Sequence, residues 1–153
     1  MRTFNQWMDE YGVSHQHPTN QIIHKIFVPL IMLTVIGLLW AIPTPEIFQH
    51  IPYLNWSTLF IGFCLAFYLS LNFMMFLGML VLTFIMCWIT IQFERMGILL
   101  QANIGIFVFS WLAQFWGHKI EGKKPSFLQD LAFLLIGPMW VLRFFYRKIG
   151  LKV

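Results

Sequence analysis

Ser57-TLFIGFCLAFYLSLNFMMFLGMLVLTFIMCWIT-Ile91 is a run of 35 residues without a single charge. As one helix it would be about 53 Å long, nearly twice the ~30 Å hydrocarbon core of a bilayer. Such a run must fold back on itself. Its most polar interruption, Ser70 to Asn72, marks the hairpin point, and Gln92, Glu94, Arg95 and Gly97 close the second arm. Upstream, Ile26 to Ile42 is apolar except for Thr34 and contains Pro29. It is just long enough to cross if its polar lead-in helps. Pro43, Pro45 and Pro52 then break the helix, with Trp40, Tyr53 and Trp56 as interfacial anchors. Downstream, Ile98 to Trp116 makes a fourth span and Gly117 to Ser126 a polar loop. Phe127 to Tyr146 is a fifth apolar segment, interrupted by Gly137 and Pro138. The fold class expected is all-α: one polytopic membrane domain over residues 1–153, a helical bundle of four to five transmembrane helices.

Composition agrees. Of 153 residues, 59% are hydrophobic, 18% aromatic and only 10% charged, with a mean hydropathy of +0.72. Soluble domains carry roughly 25% charged residues, so a water-soluble monomer is excluded. Cys64 and Cys87 both lie in apolar runs, which excludes a disulfide-stapled scaffold. The net charge of +4 comes without a basic run interleaved with polar residues, so nucleic acid is not an expected partner. Nothing specifies an oligomeric state. Residues 1–25 are polar and lack the basic start and early apolar stretch of a signal peptide, so this segment is expected to be retained. No span carries a charge at its middle, which argues against an ion pathway.

Four crossings put residues 1–25 and 117–126 on one side of the membrane. That side carries Arg2, Lys25, Lys119, Lys123 and Lys124, whereas the opposite loops before residue 127 carry only Arg95. The positive-inside rule makes the lysine-rich side cytoplasmic. Arg143, Arg147, Lys148 and Lys152 would count for the other side if the fifth segment crosses completely. The Gly137-Pro138 break allows it instead to return or to lie in the interface, so four and five spans both stay open.

Ligand-type chemistry is confined to two stretches. In the first, proline suits the opening position of a helix, so a helix starting at Pro18 leaves His15 and His17 on the preceding turn and places Asn20 and His24 on one face. In the second, Gln114, His118 and Glu121 fall within about 60° of one another if the helix continues to Glu121. Imidazoles with a carboxylate at the mouth of a dry bundle suit a divalent transition metal. Asn20 and Gln114 would hold ring nitrogens or substrate oxygens. Any single histidine at a membrane interface serves equally as a headgroup or water ligand. Four histidines, a Glu, a Gln and an Asn gathered on one face favour a metal site. His17, held extended before Pro18, is the outlier of the set. His50, in the opposite loop, is assigned no role. Lys119, Lys123 and Lys124 read as topology charges that meet anionic lipid.

His15-x-x-Pro18-x-Asn20-x-x-x-His24, then Gln114-x-x-Gly117-His118-x-x-Glu121-x-x-x-Pro125, and later Gly137-Pro138, resemble the small polytopic membrane 2-hydroxy fatty acid dioxygenases. The resemblance covers nearly the whole chain. It implies an Fe(2+) cofactor and α-oxidation of a 2-hydroxy fatty acid by O2 to CO2 and the fatty acid one carbon shorter. By position, the implied metal ligands are His15, His24 and His118 with Glu121 as a fourth. Glu121, Gln114 and Asn20 are the candidates for catalysis, and His17, Lys25 and Lys119 are candidate substrate contacts. An octahedral ion that accepts a chelating substrate and O2 keeps three protein ligands. Four candidates are therefore one too many: either Glu121 stands behind the ligands or acts as a base, or one histidine leaves. No G-x-G-x-x-G or P-loop is present to serve a nucleotide cofactor. A fatty acid holds its carboxylate at headgroup depth, where this face lies, in the inner membrane of a bacterium or the endoplasmic reticulum of a eukaryote. Two rivals remain: a zinc-dependent membrane hydrolase, and a non-enzymatic metal- or lipid-binding protein or transporter.

Overall fold

The computed structural model describes residues 2–128 and 130–151; Lys152, counted above among the flanking charges, lies outside the described residues. Six α-helices follow one another: α1 (Phe4–Val13), α2 (Pro18–Trp40), α3 (Trp56–Leu71), α4 (Phe73–Arg95), α5 (Leu99–Glu121) and α6 (Phe133–Lys148), with short 3-10 turns at Glu46–His50 and Ser126–Leu128. No strand occurs among the described residues. Helices α2, α4 and α5, of 23 residues each, are long and apolar enough to cross a membrane. Helix α3 is apolar but has 16 residues, about 24 Å. Its outer face and those of α4 and α5 expose Phe63, Phe84, Phe109 and Leu112, a contiguous apolar exterior that suits lipid rather than water.

The charge-free run does fold back where expected. Asn72 serves both helices: its backbone N–H donates to Tyr68 O at the end of α3, and its side-chain oxygen accepts from Met75 N at the start of α4. Helices α2 to α5 then run alternately down and up. One end of the bundle, holding the starts of α2 and α4 and the ends of α3 and α5, will be called the upper end.

The seam between α2 and α5 is the most extensive in the protein, and two close approaches set its register. A Cβ on Gly117 would collide with Asn20 Oδ1, and one on Gly37 would collide with the Asn103 carboxamide. Only glycine lets each asparagine seat against the facing helix. The antiparallel register that results brings His24 level with His118.

Three boundaries differ from the sequence reading. The polar leader contains a helix, α1, started by a capping box in which Thr3 Oγ1 accepts from Gln6 N and Gln6 Oε1 accepts from Thr3 N. Its stripe of Phe4, Trp7, Met8 and Tyr11 is buried against α3, α4 and α6. Residues 117–121, read above as part of a loop, are helical, so His118 sits on the last turn of α5. Gly122, with φ +71°, ends that helix in the left-handed conformation open to glycine. The fifth segment starts six residues later than expected, and every partner of α6 lies at the upper end. Tyr146 Oη donates to Met74 O, Lys25 Nζ stands 3.6 Å from the Phe144 ring centre, and Phe133 packs on Trp7 and Tyr11. Helix α6 roofs the bundle rather than descending it.

Candidate metal centre

Three helical neighbourhoods each send one imidazole to the same point. His15 lies on the turn after α1, His24 on the second turn of α2 and His118 on the last turn of α5. One potential ligand atom from each lies within 4.8 Å of the others. Ring centres are 4.1 Å apart for His15 and His24, 4.9 Å for His24 and His118, and 5.1 Å for His15 and His118. All three are buried, with 1%, 3% and 6% of their surface exposed.

Their second nitrogens fix which atom faces inward. His15 Nδ1 lies 2.6 Å from Tyr11 O and His24 Nδ1 lies 3.0 Å from Asn20 O. A carbonyl can only accept, so both Nδ1 atoms carry the proton and both Nε2 atoms offer a lone pair. His15 Nε2 and His118 Nδ1 are buried without any hydrogen-bond partner. Leaving such atoms unmade is costly, and burial pushes the His15 imidazole down to about 4, so it is neutral at neutral pH. Neutral, converging, unpartnered imidazoles are a fit for a divalent metal ion. The donor set by itself suits iron and zinc alike.

Glu121 is close by but outside this trio. Its Oε1 accepts from Gln16 N at 2.8 Å, and its Oε2 accepts from His17 N at 2.8 Å and from Asn20 Nδ2 at 3.1 Å. The carboxylate thus sits on the opening turn of α2, where helix-terminal N–H groups favour an anion. Asn20 Nδ2 also donates to Ser14 O. The turn bearing His15 is held further by Gln21 Nε2 to His15 O, by Lys123 Nζ to Val13 O, and by contact of the Ser14 and Ser126 hydroxyls.

Below the trio lies a cavity of about 280 Å³ lined mainly by α2, α3, α5 and α6. Gln114 lines it one turn beneath His118, buried, with neither Oε1 nor Nε2 partnered. The three substrate candidates lie elsewhere. His17 is exposed and caps α2, its Nδ1 accepting from Thr19 N; Lys119 is exposed; Lys25 is committed to Phe144.

Sequence reasoning missed Tyr11, whose ring stacks on His15 at 4.1 Å, and Trp111, whose Nε1 is buried in the cavity wall without a partner. A signal existed for the first: Phe4, Trp7, Met8 and Tyr11 have the i, i+3, i+4, i+7 spacing of an amphipathic helix.

Among known proteins, the family described as 2-hydroxy-palmitic acid dioxygenase Mpo1-like matches residues 1–149. The 2-hydroxy-palmitic acid dioxygenase MPO1 of Saccharomyces cerevisiae is 29% identical over 143 residues, covering 92% of this chain and 78% of the yeast protein. No solved structure matches.

Proposed function

This chain belongs to the 2-hydroxy-palmitic acid dioxygenase Mpo1-like family, and we propose that it is an iron(II)-dependent dioxygenase converting 2-hydroxy fatty acids and O2 to CO2, water and the fatty acid one carbon shorter. The observation that carries this reading is the meeting of three neutral imidazoles directly above an apolar cavity. The stoichiometry closes without another reductant: oxidising R-CHOH-COOH to R-COOH and CO2 releases four electrons, and reducing O2 to water takes four. When bound, a ferrous ion with three imidazole ligands supplies the redox centre and leaves coordination positions for a 2-hydroxy acid and O2.

The chain's own groups do the rest. His15, His24 and His118 would hold the ion, the first two through Nε2 atoms already turned inward by the Tyr11 and Asn20 carbonyls and the third on the last turn of α5. Because this donor set is neutral, it would leave the charge of a bound divalent ion to offset that of a substrate carboxylate, whose burial is otherwise penalised. Gln114 binds the substrate head, its Nε2 donating to the carboxylate or its Oε1 accepting from the 2-hydroxyl. Glu121 and Asn20 are positioning residues: they hold the turn that aims His15. The apolar walls exclude water. In this reading the site faces the cytoplasm, on the side of Lys119, Lys123 and Lys124.

The test is anaerobic reconstitution of purified protein with Fe(2+), followed by O2 uptake and product analysis on a panel of 2-hydroxy acids. Stoichiometric O2 consumption with the shortened acid and CO2 as products is expected. Activity supported by zinc without O2 uptake would replace this reading with hydrolysis.

A further inference from the structure

The cavity follows two helices downward from the histidines. On α2 its wall runs from His24 through Val28 and Ile31 to Val35, and on α5 from His118 through Gln114 and Trp111 to Phe107. Each wall covers eleven residue steps, about 16.5 Å at helical rise. Two antiparallel helices therefore stop lining the cavity at the same depth. Phe60 closes the third side from α3, near the helix start that belongs to the lower end. Just beyond this level Asn103 seats on Gly37, and at the same depth to the side Leu33, Ile36 and Met86 form a separate packed core. The cavity has a floor.

Resting on the reading of this site as one for 2-hydroxy fatty acids, we propose that the cavity is a length gauge for the acyl tail, with Val35, Phe60 and Phe107 as its stop. An acid whose head lies against the imidazoles and Gln114 has its tail along the apolar walls of α2, α3 and α5 over this depth. An extended chain advances about 1.2 Å per bond, since three backbone bonds span at most ~3.6 Å. At a depth of about 16.5 Å, the floor is thus reached after about 14 bonds beyond the hydroxyl-bearing carbon. Against an apolar stop one methylene too many costs about tenfold in selection, so discrimination is steep above that length and shallow below it.

The test is competition between 2-hydroxylaurate, 2-hydroxypalmitate and 2-hydroxylignocerate for the iron-loaded protein. The wild type is expected to prefer palmitate over lignocerate by at least about tenfold. Val35→Phe raises the floor and moves the laurate-to-palmitate ratio at least about tenfold toward laurate; Phe107→Ala lowers the floor and moves the lignocerate-to-palmitate ratio the other way. Ratios unchanged in both variants, or all lengths reduced equally by both, would overturn the gauge while the function stands. A binding readout separates the two claims. Trp111 stands about 10 Å below His118 by helical rise, so a 2-hydroxy acid brominated at mid-chain should quench fluorescence that is missing in Trp111→Phe. Quenching identical in the two proteins overturns the gauge, and quenching without turnover of any acid by the wild type supports it while the function fails.

Discussion

Helices α2 and α5 touch in the same way twice: Asn20 on Gly117 at the upper end and Asn103 on Gly37 at the lower. The contact is shared but the surroundings differ. At the lower end Asn103 Nδ2 donates only to Leu99 O in its own helix, and its Oδ1 has no partner; this asparagine fixes register and nothing more. At the upper end Asn20 bonds Ser14 O and Glu121, and its own carbonyl orients His24. One packing device thus serves as a spacer in one place and as the frame of the three-histidine cluster in the other. The chemistry comes from what the chain places around it.

The sharpest break of this comparison is His118→Ala, which should bring bound iron and O2 uptake below detection by metal analysis and oximetry. His50→Ala, in the lower loop, should change neither. Next in size is Gly117→Ala: the added Cβ must push Asn20 away, and metal affinity measured by chelator competition is expected to fall about 100-fold. Glu121→Gln keeps one acceptor oxygen, so its loss should be nearer tenfold. Complete loss of metal in that variant would instead make Glu121 a ligand. Gly37→Ala meets a comparable obstruction but should cost about 1–3 kcal/mol of stability in thermal unfolding and leave metal affinity unchanged. Equal effects of the two glycine variants on metal binding would erase the distinction between the ends. The smallest effect is on pH dependence without metal. His15 is held near 4 by burial, against an ordinary 6.5. The unfolded chain therefore binds its proton first, and this group's contribution to the stability of metal-free protein should be lost in thermal unfolding as pH falls from about 6.5 to 4.

The helical hairpin was legible because a charge-free run nearly twice as long as a bilayer is thick leaves no other solution, and because Ser70 to Asn72 is its most polar interruption. The pairing of His24 with His118 was legible through parity and the 3.6-residue period. The direction of Glu121 was not. A helical wheel puts it on the face of His118, but it stands one turn further along, where the open N–H groups of residues 16 and 17 capture it. The cavity was also hidden, since a gap between four helices depends on side-chain volumes that no periodicity encodes. Helix α6 shows the same limit: Gly137 and Pro138 signalled an irregular segment, but only packing on α1, α2 and α4 determines that it roofs the bundle.

The order in which the ligands occur along the chain has its own consequence for biosynthesis. His15 and His24 leave the ribosome long before His118, and the roof helix α6 follows last. A nascent chain halted ahead of α5 has only two of the three imidazoles, so a site that needs all three cannot be assembled until α5 has been made.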